Sequence, residues 1–301
     1  MMSLPKPAVL ALLVAACGAP PTTTTSPRDL LAERNAPLRA ASVAPFAGMQ
    51  RGDLPLLRFL ADRTALVVDG ATGFSFVTDP ATQATVFRGT ANGKVVTKEL
   101  GAGVPITDDG YFLTAAHCLQ SGAALVVGRS PSGAMREVVA DVVWNGAAQQ
   151  PPTDLAVLWA PGLGVSPLAL APATPTAERG TPVVVCGSGA SGLIVAGGSV
   201  EAFARTGREL VVNVPVLPGD SGGPCATTDG AVLGIVSTAH MRDGTTTATV
   251  LVPDRAWLDG LLAEHRTRRG PAPTAKLSAA GTVHRGLADA DLAKLLPPAG
   301  R

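Results

Sequence analysis

The strongest constraint on the fold is a recurring pattern of short β-branched and apolar runs set off by turn residues. Ala65-Leu66-Val67-Val68, Ala124-Leu125-Val126-Val127, Val138 to Val143 and Val183-Val184-Val185 are the length of strands rather than helices. Gly follows Asp or Ser at 69–70, 109–110, 132–133 and 229–230, dipeptides whose positive φ suits tight hairpins. Many short strands joined in this way between residues 54 and 267 predict an antiparallel barrel or sandwich. The 34 Gly and 26 Pro, with a 46% hydrophobic fraction drawn heavily from Ala and Val, fit that all-β expectation. One helix is expected near the end, where Asp254 offers a cap and Trp257, Leu258, Leu261 and Leu262 recur at helical spacing.

The flanks read differently. Lys6 precedes the apolar run Ala8 to Ala16, which is too short to span a bilayer, so residues 1–16 are expected to be a signal peptide. The run ends in Val14-Ala15-Ala16-Cys17, which resembles the lipobox of bacterial lipoproteins and marks Cys17 for lipidation; ordinary cleavage at a nearby small residue is the alternative. Pro, Thr, Ala and Arg dominate the stretch after Cys17, so residues 17–58 read as a tether, residues 59–268 as the folded domain and 269–301 as a largely disordered tail. No later segment has the apolar length of a membrane span, so membrane attachment is expected only through a lipid on Cys17. With 24 Lys+Arg against 23 Asp+Glu, the chain has no global field to attract nucleic acid.

Three separated segments carry candidate chemistry. Gly101 through Cys118 reads as a strand, an Asp-Gly turn and a second strand that delivers His117 at the end of an apolar run. Alone, such a His is more often structural than a base. Asp154 stands at the mouth of the apolar strand Leu155-Ala156-Val157-Leu158, where a carboxylate needs a hydrogen-bonding partner such as an imidazole N–H. In Pro218-Gly219-Asp220-Ser221-Gly222-Gly223-Pro224, small residues allow a tight bend that aims N–H groups outward beside the Ser221 hydroxyl.

The order His, Asp, Ser, with Thr-Ala-Ala-His-Cys and Gly-Asp-Ser-Gly-Gly-Pro at full length, resembles the trypsin and chymotrypsin-like serine protease family over about residues 59–268. The first and third segments are also similar to bacterial high-temperature-requirement proteases. The resemblance implies two six-stranded antiparallel β-barrels with a closing C-terminal helix. It implies a His117/Asp154/Ser221 triad and an oxyanion hole from the backbone N–H groups of Gly219 and Ser221. No cofactor or metal is implied, and the partner is a polypeptide substrate. Leu233 to Ser237 resembles the strand bordering the substrate cleft, so Ser237, Thr238 and Ala239 are expected to bind substrate. Pro215, six positions before Ser221, is expected at the base of the specificity pocket. Its lack of charge predicts small or medium apolar side chains on the acyl side of the cut bond. Cys186 and Cys225 resemble positions on adjacent strands of the second barrel, which implies a disulfide between them and leaves Cys118 a buried thiol. No new Ile or Val N-terminus is available to pair with Asp220, so another group must satisfy it.

Other features are read as background. Gly187-Ser188-Gly189-Ala190-Ser191-Gly192 matches a dinucleotide-binding spacing but is followed by no helix, so it is expected to be a loop. His240 is expected at the surface or the cleft rim, and Arg266, Arg268 and Arg269 at a solvated helix end. The function expected is that of an exported serine endopeptidase; a catalytically silent protease fold used as a binding module is the alternative. A missing triad residue would favour the alternative, and none is missing. The tail is too short for the peptide-binding domains that high-temperature-requirement proteases carry. The sequence gives no signal of oligomeric state.

Overall fold

The computed structural model describes residues 54–278, apart from 71–73, 79–84, 92–93, 97–99, 131, 133, 173–176, 190–191, 204–207, 215, 217–218 and 243–244. The expected signal peptide, Cys17, most of the tether, Pro215 and the tail beyond 278 therefore lie outside the described residues.

A helix, α1 (Leu54–Arg63), leads into β1 (Ala65–Asp69). Three short strands, β2 (Phe74–Thr78), β3 (Thr85–Ala91) and β4 (Lys94–Val96), form a separate antiparallel sheet. The chain then returns as β5 (Leu100–Pro105), pairing antiparallel with β1. With β6 (Tyr111–Ala115), β7 (Ala124–Arg129), β8 (Met135–Asn145) and β9 (Leu155–Trp159), these strands close a first barrel, because β8 pairs with both β7 and β9. The second barrel closes through β10 (Pro182–Gly189), β11 (Gly192–Phe203), β12 (Glu209–Asn213), β15 (Thr245–Leu251), β14 (Val232–Arg242) and β13 (Pro224–Thr227). Helix α2 (Arg255–Arg268) comes next, and β16 (Lys276–Leu277) adds to the edge of β8. The expected pair of six-stranded barrels and the closing helix are both present. Positive φ angles of 98°, 93° and 86° at Gly70, Gly110 and Gly230 match three of the expected turns.

Side chains sort into three cores by the two-residue period of the strands. Phe112, Ala156 and Leu158 point into the first barrel, and Val183, Val185, Val212 and Val250 into the second. The alternate residues Tyr111, Leu113, Val157, Trp159, Val184 and Ile235 fill a third core between the barrels. Strands buried on both faces explain the unbroken apolar runs of β6, β9 and β10. Helices from both ends of the domain complete this seam, through Leu57 and Leu60 of α1 and Leu258 and Leu262 of α2.

Several expectations need correction. Residues 54–58 belong to α1, not to a tether, and Leu57 is fully buried. Residues 269–278 are also ordered: Lys276 pairs with Glu137, and Ser278 Oγ donates to Glu137 Oε2 at 2.6 Å. Gly187 to Gly189 and Gly192 are strand rather than loop: they belong to β10 and β11, with Gly189 opposite Gly192, while 190–191 lie outside the described residues.

No disulfide joins Cys186 and Cys225. In the pairing of β10 with β13, Val185 lies opposite Cys225, so Cys186 points to the other face of the sheet. Cys186 lies in the core between the barrels and Cys225 inside the second barrel. Burial pushes the Cys225 thiol up to about 12. Cys118 is buried and outside any disulfide, as expected.

The Arg run is not simply solvated. Arg266 grips the Asp109 carboxylate through two bonds of 3.0 Å, and Arg269 adds a third at 3.1 Å. Those bonds, led by the one from the Arg266 side chain, hold the carboxyl well below its usual range. His265 Nδ1 lies 2.8 Å from Tyr111 Oη, and Arg269 stacks over the Trp159 ring. The β5–β6 turn and the end of α2 are thus clasped together, while Arg268 pairs with Glu264.

Candidate active site

Strand register brings the acid and the imidazole together. Strands β6 and β9 are antiparallel with Ala115 opposite Leu155, so the residues after Ala115 meet the one before Leu155. The chain leaves β6 in a tight 3-10 turn, Ala116–Cys118, that carries His117 out of the buried strand. Asp154 Oδ1 accepts from the His117 backbone N–H at 2.8 Å, and Oδ2 lies 2.8 Å from His117 Nδ1. The Ala116 N–H donates to the Asp154 carbonyl, locking the turn to the acid from a second direction.

The second barrel supplies the serine. Ser221 lies in the bend before β13, and hydrogen bonds from Gly222 N to Val236 O and from Val236 N to Gly223 O tie the bend to β14. Gly222 has φ +82°, and a Cβ there would fall 2.2 Å from Ala102 O and 2.5 Å from Thr114 Oγ1, so only glycine fits. The contact presses the serine bend onto the first barrel, where Ala102 N donates to Ser221 O at 2.7 Å. Gly219, with φ 97°, completes the bend. Among the described residues, neither the Gly219 nor the Ser221 N–H donates a hydrogen bond.

Asp220 is 4% exposed. Its carboxylate packs against β10 so closely that a Cβ on Gly187 would fall 1.8 Å from Oδ1.

Ser237 joins the two halves. Val236 pairs with Val250 and Thr238 with Thr249, so Ser237 is the extra residue of a β-bulge in β14. The bulge re-aims its side chain. Ser237 Oγ donates to Asp154 Oδ2 at 2.5 Å, and its carbonyl accepts from Ser221 Oγ at 3.3 Å. The sequence placed Ser237 at the substrate cleft but carried no sign of its bond to Asp154. Thr238 and Ala239, also expected to bind substrate, come next on the exposed part of β14.

The hydrogen bond to Asp154, and after it the Cys118 side chain, raise His117 from an ordinary 6.5 to about 10, against the opposing effect of burial. Burial pushes Asp154 up, but the hydrogen bonds from His117 and Ser237 outweigh it and its pKa is lowered. His117 and Asp154 are therefore in contact, and Ser221 stands beside them with its proton directed elsewhere.

Two antiparallel barrels, with an acid and imidazole pair from the first beside a serine bend from the second, define the trypsin-like class of serine protease domain. The family model for the trypsin-like peptidase domain matches residues 101–235. A probable periplasmic serine endoprotease, DegP-like, from Halomonas elongata is 34% identical over 159 residues, 49% of this chain and 31% of that protein. The chain thus spans about a third of that relative's length. The solved serine endoprotease from Yersinia pestis superposes with a TM-score of 0.52 at 21% identity, covering 74% of this chain and 68% of its own. The HtrA-type protease AlgW with a tripeptide gives a TM-score of 0.50 at 19% identity, covering 70% and 62%. At these identities the likeness to the solved structures is one of fold.

Proposed function

We propose that the protein is a serine endopeptidase that hydrolyses peptide bonds through an acyl-enzyme on Ser221. The observation that carries this reading is the Asp154 carboxylate, which holds His117 at 2.8 Å and Ser237 at 2.5 Å beside the serine bend. In the reaction, neutral His117 takes the Ser221 proton as Oγ attacks the substrate carbonyl carbon. Asp154 stabilises the imidazolium that results. The N–H groups of Gly219 and Ser221 receive the developing oxyanion, where one donor contributes roughly 2.7–4 kcal/mol in such sites. His117 then protonates the leaving amine, and water cleaves the acyl ester by the same steps in reverse order.

Substrate main chain fits the open edge of β14. Among the described residues β13 pairs with β14 only from Val232 to Ile235, leaving that edge at Ser237 and beyond without a strand partner. An extended peptide added there would donate its N–H to the Ser237 carbonyl, the group that holds the resting Ser221 hydroxyl. Substrate would thereby release the hydroxyl toward His117. Pro215, Thr238 and Ala239 carry no charge, which supports small or medium apolar side chains on the acyl side of the cut.

Export rests on the leader at 1–16 and on likeness to a relative described as periplasmic. Attachment to a bacterial envelope membrane rests on Cys17.

Ser221→Ala is expected to abolish peptide cleavage with the fold retained, and a fluorophosphonate should label wild-type protein at Ser221. Cleavage surviving in the variant would overturn the assignment. Intact mass of membrane-extracted protein tests the anchor: a chain starting at diacylated Cys17 supports it, and a soluble chain cut elsewhere counts against it.

A further inference from the structure

The geometry points to a polar subsite, formed by Thr238, His240 and Thr249, that accepts an acidic substrate side chain four residues before the cut bond. The inference rests on the peptidase reading and extends it to substrate selection.

Beyond Ser237, β14 is paired on one edge only among the described residues: Thr238 opposes Thr249, Ala239 opposes Ala248 and His240 opposes Thr247. A peptide adding to the other edge, with the residue before the cut opposite Ser237, sets its next three residues opposite Thr238, Ala239 and His240 in turn. Side chains alternate across a strand, so the second and fourth residues share the face of Thr238 and His240, and the third shares that of Ala239.

The two faces differ in chemistry. Ala239, itself exposed, lies on the side of Ala248, which is fully buried within the second barrel. Thr238 and His240 lie on the outer face and are exposed, and Thr247 and Thr249 are half-buried beside them. His240 Nε2 is 3.2 Å from Thr238 Oγ1 and 3.2 Å from Thr249 Oγ1, so the ring is fixed over the strand by two hydroxyls. Each of these three groups can donate a hydrogen bond, and among the described residues no carboxylate takes part in the cluster. An acceptor-only group is the complement of such a cluster, and a carboxylate is the strongest acceptor a peptide side chain offers. An apolar side chain would leave the hydroxyls to water, and an ammonium would compete with them as a donor.

The test uses matched peptides that differ only at the fourth residue before the cut, carrying Glu, Gln, Leu or Lys. For wild-type protein, kcat/KM for the Glu peptide should exceed that for the Leu peptide by about tenfold, the size expected of one charge-assisted hydrogen bond. His240→Ala should collapse the Glu to Leu ratio toward unity. Fluorophosphonate labelling of Ser221 shows that the variant is folded, and Thr249→Val provides a second variant should it not be. Equal rates for Glu and Leu with wild-type protein, or a ratio that survives both variants, would overturn the subsite. A wild-type protein that cleaves no peptide and is not labelled at Ser221 overturns the peptidase reading and the subsite with it; labelling and cleavage without selectivity overturn the subsite alone.

Discussion

His117 couples activity and stability to pH in opposite senses. Its folded pKa of about 10 lies above the ordinary 6.5, so it is charged at neutral pH and must lose a proton before it can act as a base. The rate should therefore climb through an ionisation well above 6.5, displaced from the ordinary imidazole range; a kcat/KM profile that levels off by pH 7 would contradict this. The stabilisation from the charged ring runs the other way, being complete below about 6.5 and lost as pH rises through about 10. Asp154→Asn should lower turnover by roughly 10⁴-fold, the loss typical when the carboxylate of such a triad is replaced, and a smaller loss would mean that another group orients the ring. The meeting of His117 and Asp154, with Ser221 nearby, was legible because each sits in a string whose spacing and small residues have a chemical reason. Two neighbouring facts were not. The Ser237 bond to Asp154 depends on a bulge that no local pattern announces. The Cys186 and Cys225 pairing fails on a one-residue offset that turns the side chains to opposite faces, and adjacency of strands does not reveal parity.

The helices show the same boundary between local and distant information. The start of α2 was readable, since Asp254 accepts from Trp257 N at 3.1 Å as a cap should, and its apolar spacing buries Leu258 and Leu262. Its far end was not, because Arg266 and Arg269 find Asp109 about 160 residues away, in a hairpin turn whose Asp is ordinary in sequence. Helix α1 did carry a helical spacing in Leu57, Leu60 and Ala61, but only ten residues of it, next to a stretch of Pro, Ala and Arg without apolar periodicity. Asp109→Asn should weaken the clasp, leaving two guanidinium groups facing each other. The groups are partly exposed and screened, so the cost is set at about 1 kcal/mol and read as a lowered urea midpoint at neutral pH. Because the Asp109 pKa is depressed on folding, its contribution is present above the ordinary carboxylate value of 3.8 and lost as pH falls below it. Wild-type and variant should therefore converge in stability in strong acid, and a gap that persists there would show that charge is not the cause.

On the scale of the whole molecule, the core between the barrels is the feature on which the site depends. His117 and Asp154 come from one barrel, Ser221 and Ser237 from the other, and their alignment is only as firm as the packing of Tyr111, Trp159, Val184, Ile235 and the two helices. Leu57→Ala or Leu60→Ala empties a fully buried position in that packing and should cost about 2–5 kcal/mol. Peptide hydrolysis and the near-ultraviolet signal of the tryptophans should then be lost together on heating; hydrolysis that outlasts the tertiary signal would show that α1 is dispensable to alignment. The same arrangement bears on how such a chain survives its own synthesis. Chains emerge from the ribosome N-terminus first, and domains fold as their last elements arrive. Here α1 is the first described element and α2 among the last, yet both must occupy the same seam. A nascent chain that has already released His117, Asp154 and Ser221 still lacks the helix that closes the joint. Hydrolytic competence should arrive only once synthesis has passed Arg269, which spares the unfolded, cleavable stages of its own biogenesis.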